Sequence, residues 1–265
     1  MEIFTCFSVS IEDAIASIHF SRPELHNRFD EPLHREFPRV LADLASLKED
    51  IAALVISADG RSFSAGGDME MMLRANRSLP MRERLAYEGA AIIENLLALP
   101  FPVIAALQGP AVGLGASIVG CCDIVVACRS ARIADPHVAL GLVAGDGGII
   151  AWSQSVGIMR AKRYLLTGDF VDAETAFKMG LVTDLVETPE DVVPAARTIA
   201  ARVAALPRRG VRGTKRAFSR LTRDLYGSAF ELSFAYEMQT LAGAELRETV
   251  EAMIAARQVR SGEKK

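Results

Sequence analysis

The stretch "HVALGLVAGDGG", residues 137–148, places one histidine nine residues ahead of an aspartate set between glycines. An imidazole has an unperturbed pKa of about 6.5, so His137 is competent as an acid or a base near neutral pH. A carboxylate bonded to one ring nitrogen would fix the tautomer and favour the imidazolium. Asp146 reaches that ring if residues 138–145 form a loop closing on a pocket. The competing reading makes His137 a satisfied wall histidine and Asp146 the cap of a helix beginning at Gly147, because aspartate is a favoured N-cap.

Two glycine-rich stretches could serve the same chemistry. "RSFSAGGDMEMM" (61–72) follows a short apolar run and precedes a helical pattern. Its small residues Ser64, Ala65, Gly66 and Gly67 let another group approach the backbone closely. An amide in such a loop, near a helix start, is a natural donor to an anionic oxygen. "QGPAVGLGASIVGCCD" (108–123) repeats the construction. Two amides from separate turns converging on one oxygen make an oxyanion hole, where losing one donor typically costs about 2.7–4 kcal/mol. The second stretch misses the dinucleotide fingerprint, since Ile118 stands where the third glycine belongs, and this argues against a dehydrogenase.

Positioning these loops requires a scaffold, and the hydrophobic pattern supplies one. Strands are expected at "FTCFSVSI", "AIASIHFS", "IAALVISADG", "PVIAAL", "DIVVAC" and "ARIA", alternating with helices over 31–50, 81–99, 115–122 and after Gly148. Pro38 could kink the first of these helices. Such alternation predicts an α/β core with largely buried parallel strands. From Pro189 onward only helical patterns remain, over 190–205, 210–225, 228–242 and 244–258. The expected division is an α/β core over 1–195 and a helical region over 196–265.

The 265 residues carry a net charge of −3, so overall charge suggests no nucleic-acid partner. Cys6, Cys121, Cys122 and Cys128 lack the paired spacing of a zinc site, and no metal is expected. The segment 101–122 has no charge across 22 positions, but Gln108, Gly109 and Pro110 interrupt it, so it is read as core and not as a membrane span. "MEIFTCFSVSIED" shows no basic segment followed by an apolar one, and a cytoplasmic location is expected.

"FSAGGD", "GPAVGLGAS…CCDIVVA", "HVALGLVAGDGG" and "YLLTG…AETAFKMGLV" together resemble the crotonase superfamily, the enoyl-CoA hydratases and isomerases. The ordered match runs from residue 14 to about residue 257. The resemblance implies a spiral core of repeated ββα turns, C-terminal helices used in a homotrimer or a hexamer, and an acyl-CoA thioester as substrate. Coenzyme A would enter as part of that substrate, with no separate cofactor. It also implies an oxyanion hole at the amides of Gly67 and Leu114, with Ala65, Asp68, Ser117 and Arg22 in contact with the substrate. Arg28, Phe29 and Glu70 depart from the family pattern around the coenzyme channel.

The acids depart further. Hydratases of this family carry glutamates where this chain has Ser117 and His137. A serine hydroxyl without a strong base cannot replace a carboxylate, so Ser117 is read as a water ligand or packing. His137 becomes the expected proton carrier, with Asp146 as its partner. His19 is read as structural, while His26 and His34 are placed near the coenzyme channel without a catalytic role. A basic stripe, Arg212, Arg216, Arg220 and Arg223, is read by default as a solvated face, with the phosphates of coenzyme A or a neighbouring subunit as the alternatives. Four functions remain in view: an enoyl-CoA hydratase or isomerase, a C–C bond hydrolase of the β-diketone type using a His–Asp pair, a dehydrogenase, and a non-catalytic scaffold.

Overall fold

Apolar runs of five or six residues dominate the centre of a computed structural model that describes residues 4–262. Strands β1 (Phe7–Glu12) and β2 (Ile15–Phe20) form an antiparallel hairpin. Its two turn residues, Asp13 and Ala14, both have positive φ, as the primed two-residue turns require. β1 alternates buried and solvent-facing residues, as an edge strand does. Helix α1 (Glu31–Ser46) starts where the Asp30 side chain accepts the Leu33 amide, and it continues through Pro38 to Ser46. Then come β3 (Ala53–Ala58), α2 (Met69–Arg77), α3 (Leu79–Ala98) and β4 (Val103–Leu107). Every residue of β3 and β4 is buried, because these parallel strands are covered on both faces.

The chain then alternates between two sheets. β5 (Ala111–Val112) leads into α4 (Leu114–Cys121), followed by β6 (Ile124–Cys128), β7 (Arg132–Ala134), α5 (Gly148–Val156) and α6 (Ile158–Leu165). β8 (Val171–Asp172), α7 (Ala173–Met179), β9 (Asp184–Val186) and α8 (Val192–Ala204) complete the core. The larger sheet has the order β1-β2-β3-β4-β6-β9, and the smaller has the order β5-β7-β8. β4 and β6 lie in the large sheet, while β5 and β7, next after each along the chain, lie in the small one. Ser64 joins the small sheet through a parallel bridge to Ala111, so the turn after β3 obeys the same rule. This is the spiral of ββα repeats.

Two long helices close the chain. The sequence predicts a break near residue 227, but α9 (Arg208–Leu241) is continuous for 34 residues. A lone glycine inside a helix costs only about 1 kcal/mol against alanine, and no proline follows it, so tertiary contacts carry the helix through Gly227. Lys215 and Asp123, paired at 2.7 Å, tie its first half to the start of β4, where Asp123 also accepts the Val103 amide. The Asn76 side chain donates to the carbonyls of Leu241 and Gly243, both at 2.8 Å, and fixes the turn into α10 (Ala244–Gly262). The expected division at 195/196 falls inside α8, whose Val192, Ala196 and Ala200 belong to the main core.

Helices α4 and α5 pack with almost no gap, since a Cβ on Gly120 would lie 2.7 Å from that of Ala151. Gly120→Val should therefore push α5 outward and destabilise the protein by about 1–3 kcal/mol, the usual cost of overpacking. Urea unfolding of the two proteins side by side measures it.

Candidate active site

The turns after β3 and β4 lie side by side. The Val112 amide donates to the Ser64 carbonyl at 3.0 Å, and the Ser64 amide to that of Pro110 at 3.3 Å. Gly66 has φ +82°, and a Cβ there would meet the Val112 carbonyl oxygen at 2.7 Å, so only glycine permits this approach. Gly113, at φ +54°, precedes α4. The next amide in each turn, Gly67 and Leu114, donates to no acceptor among the described residues. The Leu114 amide heads a helix, where backbone donors have no intrahelical partner. Both residues border one small cavity of about 60 Å³.

His137 and Asp146 line the same cavity. Pro136 follows Asp135 at the end of β7, and a short 3-10 turn (His137–Leu140) carries the imidazole inward. The histidine lies between two carboxylates. Its Nδ1 meets Asp135 Oδ1 in a short contact, and its Nε2 lies 3.3 Å from Asp146 Oδ2. Ser117 Oγ donates to Asp146 Oδ1 at 2.9 Å. Asp135 Oδ2 has no hydrogen-bond partner and faces Gly148 so closely that a Cβ there would collide with it. Gly148 opens α5, and the positive end of that helix favours the carboxylate.

These groups bury charge, and their neighbours decide who keeps a proton. Burial alone would depress the His137 imidazolium, but the charges of Asp146 and Asp135 outweigh it and hold its pKa well above the ordinary value. Burial pushes Asp146 upward, yet His137 and the Ser117 hydroxyl bring it below the usual carboxylate range. Glu237, on α9, also lines the cavity. Burial and then the Asp146 charge raise its carboxyl well above the ordinary value, so it is a neutral acid. His34, on α1, completes the polar lining; burial pushes its pKa down to about 4 and leaves it neutral. The three ligand-type residues Asp135, His137 and Asp146 lie within 4.8 Å of one another. Each ring nitrogen is already engaged by a carboxylate, which suits proton transfer better than chelation.

The fold thus brings together Gly67, Leu114, Ser117, His137 and Asp146. Asp146 does not cap α5: Gly147 occupies the N-cap position with no side-chain bond. Ser117 serves Asp146 as a hydrogen-bond donor. Other expected contacts are engaged elsewhere. Asp68 caps α2 through the Met71 amide at 2.7 Å and pairs with Arg28 at 2.6 Å. Arg22 grips Asp30 through both terminal nitrogens at 2.8 Å. The Ala65 amide donates to the His26 carbonyl at 3.0 Å, and its side chain faces solvent. Of the basic stripe, Arg212 pairs with Glu49 and Arg220 with Asp224.

Three further residues of the site do not emerge from sequence reasoning. Asp135 carries a signal, an acid two places before the histidine in "ADPH". Glu237 stands in helical register with Phe234, Met238 and Leu241, a lone acid on an apolar stripe. His34, expected near a coenzyme channel, instead faces the cavity.

The chain belongs to the enoyl-CoA hydratase/isomerase family, whose model matches residues 10–261. Crotonyl-CoA hydratase of Syntrophomonas wolfei is 30% identical over 238 residues, covering 86% of this chain and 89% of that protein. 1,2-Epoxyphenylacetyl-CoA isomerase of Escherichia coli is 28% identical, covering 93% and 94%. Among solved structures, an enoyl-CoA hydratase/isomerase from Mycobacterium paratuberculosis superposes with a TM-score of 0.90 at 31% identity, covering 95% of this chain and all of that one. The fold and the enzyme family are those the motifs imply. Among the described residues, no helix is long and apolar enough to cross a membrane.

The neutral His34 carries a pH signature. Unfolded, it binds a proton below its ordinary pKa of 6.5; folded, it does so only below about 4. Between these values the unfolded chain holds more protons, so stability falls as the pH falls, by about 3 kcal/mol across the window. His34→Leu should remove that part of the acid sensitivity. Melting temperatures of both proteins from pH 7 to pH 4 test this; parallel curves would contradict it.

Proposed function

We propose that this chain acts on an acyl-CoA thioester through an enolate, moving a double bond within the acyl group. The observation that supports this reading best is the Asp135–His137–Asp146–Ser117 network ending on the cavity bordered by Gly67 and Leu114. In this reading the thioester oxygen lies between those two amides, which oppose its growing negative charge without reorganising. Their donors come from backbone, so the leucine at 114 costs nothing in hydrogen bonding.

Proton movement belongs to the His137–Asp146 unit, which titrates as a pair. At rest the imidazole is charged and the carboxylate ionised, so the ring is not a free base. Asp146 accepts a proton from the acyl carbon, and the neighbouring imidazolium stabilises the enolate. The proton then returns to a different carbon, either from Asp146 or through Nε2. Asp135 holds the ring by Nδ1, the orienting role that the sequence suggests for Asp146. One shuttled proton suffices for isomerisation. Hydration needs a second acid, and Glu237, a neutral carboxyl lining the same cavity, is the candidate to supply it.

A second reading is favoured by one observation: Arg22 and Arg28, two cations of the stretch expected to line the coenzyme channel, are each held by a carboxylate. A substrate without coenzyme A phosphates would not need them. In a β-diketone, water would add to one carbonyl while the His137–Asp146 unit takes its proton. The C–C bond would break with its electrons going to the neighbouring α-carbon as an enolate, and Glu237 would protonate that carbon.

A screen of crotonyl-CoA, longer enoyl-CoAs and a cyclic β-diketone, read for hydration, bond migration and ring opening, separates these readings. His137→Ala should lower kcat by at least about a hundredfold with KM nearly unchanged. Retained turnover would refute its role. Asp135→Asn should keep the ring but lower its pKa, visible as an earlier titration of the imidazole proton signals by NMR. An unmoved titration would make Asp135 a packing residue.

A further inference from the structure

The cavity bordered by the two amides is lined for the rest mainly by apolar side chains, among them Met71, Leu85, Phe234, Met238 and Leu241. For an unsubstituted acyl chain such a lining would be complete. Two polar atoms interrupt it. His34 is 8% exposed, and its Nδ1 has no hydrogen-bond partner. Glu237 is also 8% exposed; its carboxyl lies against the Gly145 amide, and its Oε2 completes no full hydrogen bond. Two buried amide side chains elsewhere in the chain are fully engaged. Asn27 donates to the carbonyls of Asp59 and Ser62 while accepting the Arg22 amide, and Asn76 donates to two carbonyls. Leaving a buried donor or acceptor unmade is costly, and native proteins do it rarely. Two such atoms beside one cavity point to a ligand that completes them.

The chemistry of that ligand follows from the two groups. His34 sits on α1 with its ring edge-on to Phe29, at 5.8 Å between centroids, which fixes its plane. Burial keeps both His34 and Glu237 neutral. Neither His34 nor Glu237 offers a charge to pair with a charged substituent, so these two groups suit a neutral one. A neutral oxygen, either carbonyl or hydroxyl, would accept from one group or bond to both.

We infer that His34 recognises a second, neutral oxygen on the substrate, so that the substrate is a keto- or hydroxy-substituted carbonyl compound and not a plain hydrocarbon acyl chain. This rests on the proposed placement of the reacting carbonyl at Gly67 and Leu114. It goes beyond that reading by naming a second polar contact in the same cavity. His34 is then a specificity-determining residue, and it holds in both readings of the reaction.

Two matched ligand pairs test it by calorimetry: butyryl-CoA against 4-hydroxybutyryl-CoA, and 2,2-dimethylcyclohexanone against 2,2-dimethylcyclohexane-1,3-dione, which cannot ionise at C2. In the pair that binds, the wild-type protein should favour the oxygenated member by about tenfold, the value of one hydrogen bond. His34→Leu should bring the two affinities together. His34→Gln, which keeps a donor and an acceptor, should restore part of the preference. Equal wild-type affinities, a preference that survives His34→Leu, or no binding in either pair would overturn the inference. Turnover of crotonyl-CoA by the wild-type protein is measured alongside. A kept preference without any turnover would count against the proposed reaction alone, and turnover without preference would count against His34 alone.

Discussion

Burying an imidazolium between two carboxylates is the constraint around which this site is arranged. An ionised group loses several kcal/mol of hydration on entering the interior, and that loss is offset only when each charge has a well-placed partner. Here Asp135 and Asp146 engage opposite ring nitrogens of His137. The cluster carries one net negative charge, and that remaining charge is eased by the start of α5 beside Asp135 and by the Ser117 hydroxyl on Asp146. Burial first, and then the charge of Asp146, keep Glu237 protonated in the same cavity. Burial keeps His34 neutral against the pull of Asp146, so desolvation and this cluster together set the protonation of the groups lining the cavity.

The spiral topology explains why these groups meet. Each turn of the spiral sends one strand to the large sheet and one short strand to the small sheet, and then starts a helix or a loop at the same end of the molecule. Gly67 and Leu114 come from the first two such turns, and His137 with Asp146 from the third. The turns can stack this closely because Gly66 and Gly113 leave no side chain between them. The close contact of Gly120 with Ala151 then presses α4 and α5 together, bringing Ser117 within reach of Asp146. Helix α9 contributes Phe234, Glu237 and Met238 to the lining of the same cavity.

Much of this is legible in the chain. The buried strands announce themselves as apolar runs, and the glycine turns before α2 and α4 mark where backbone amides are exposed. His137 and Asp146 pair in the sequence pattern, and they meet in the fold. The pattern does not reveal which nitrogen each carboxylate takes. Spacing along a chain tells whether two groups can meet, but not from which side of a ring. The continuity of α9 is equally hidden, because Gly227 looks like a break locally while its cost is small against the contacts on either side. Arg22 and Asp68 look available because nothing in the chain marks Asp30 and Arg28 as their partners until it folds.

By itself, the sequence determined the order of strands and helices, the positions where only glycine fits, and the presence of an imidazole able to carry a proton. These are local properties, set by hydrophobic period, backbone sterics and side-chain chemistry. Tertiary structure alone decided that His34, from the first long helix, and Glu237, from near the end of the last-but-one, would share a cavity with His137. It also decided that both would be neutral. Protonation in a buried site depends on desolvation and on charges brought near from distant parts of the chain, and neither exists until the chain has folded.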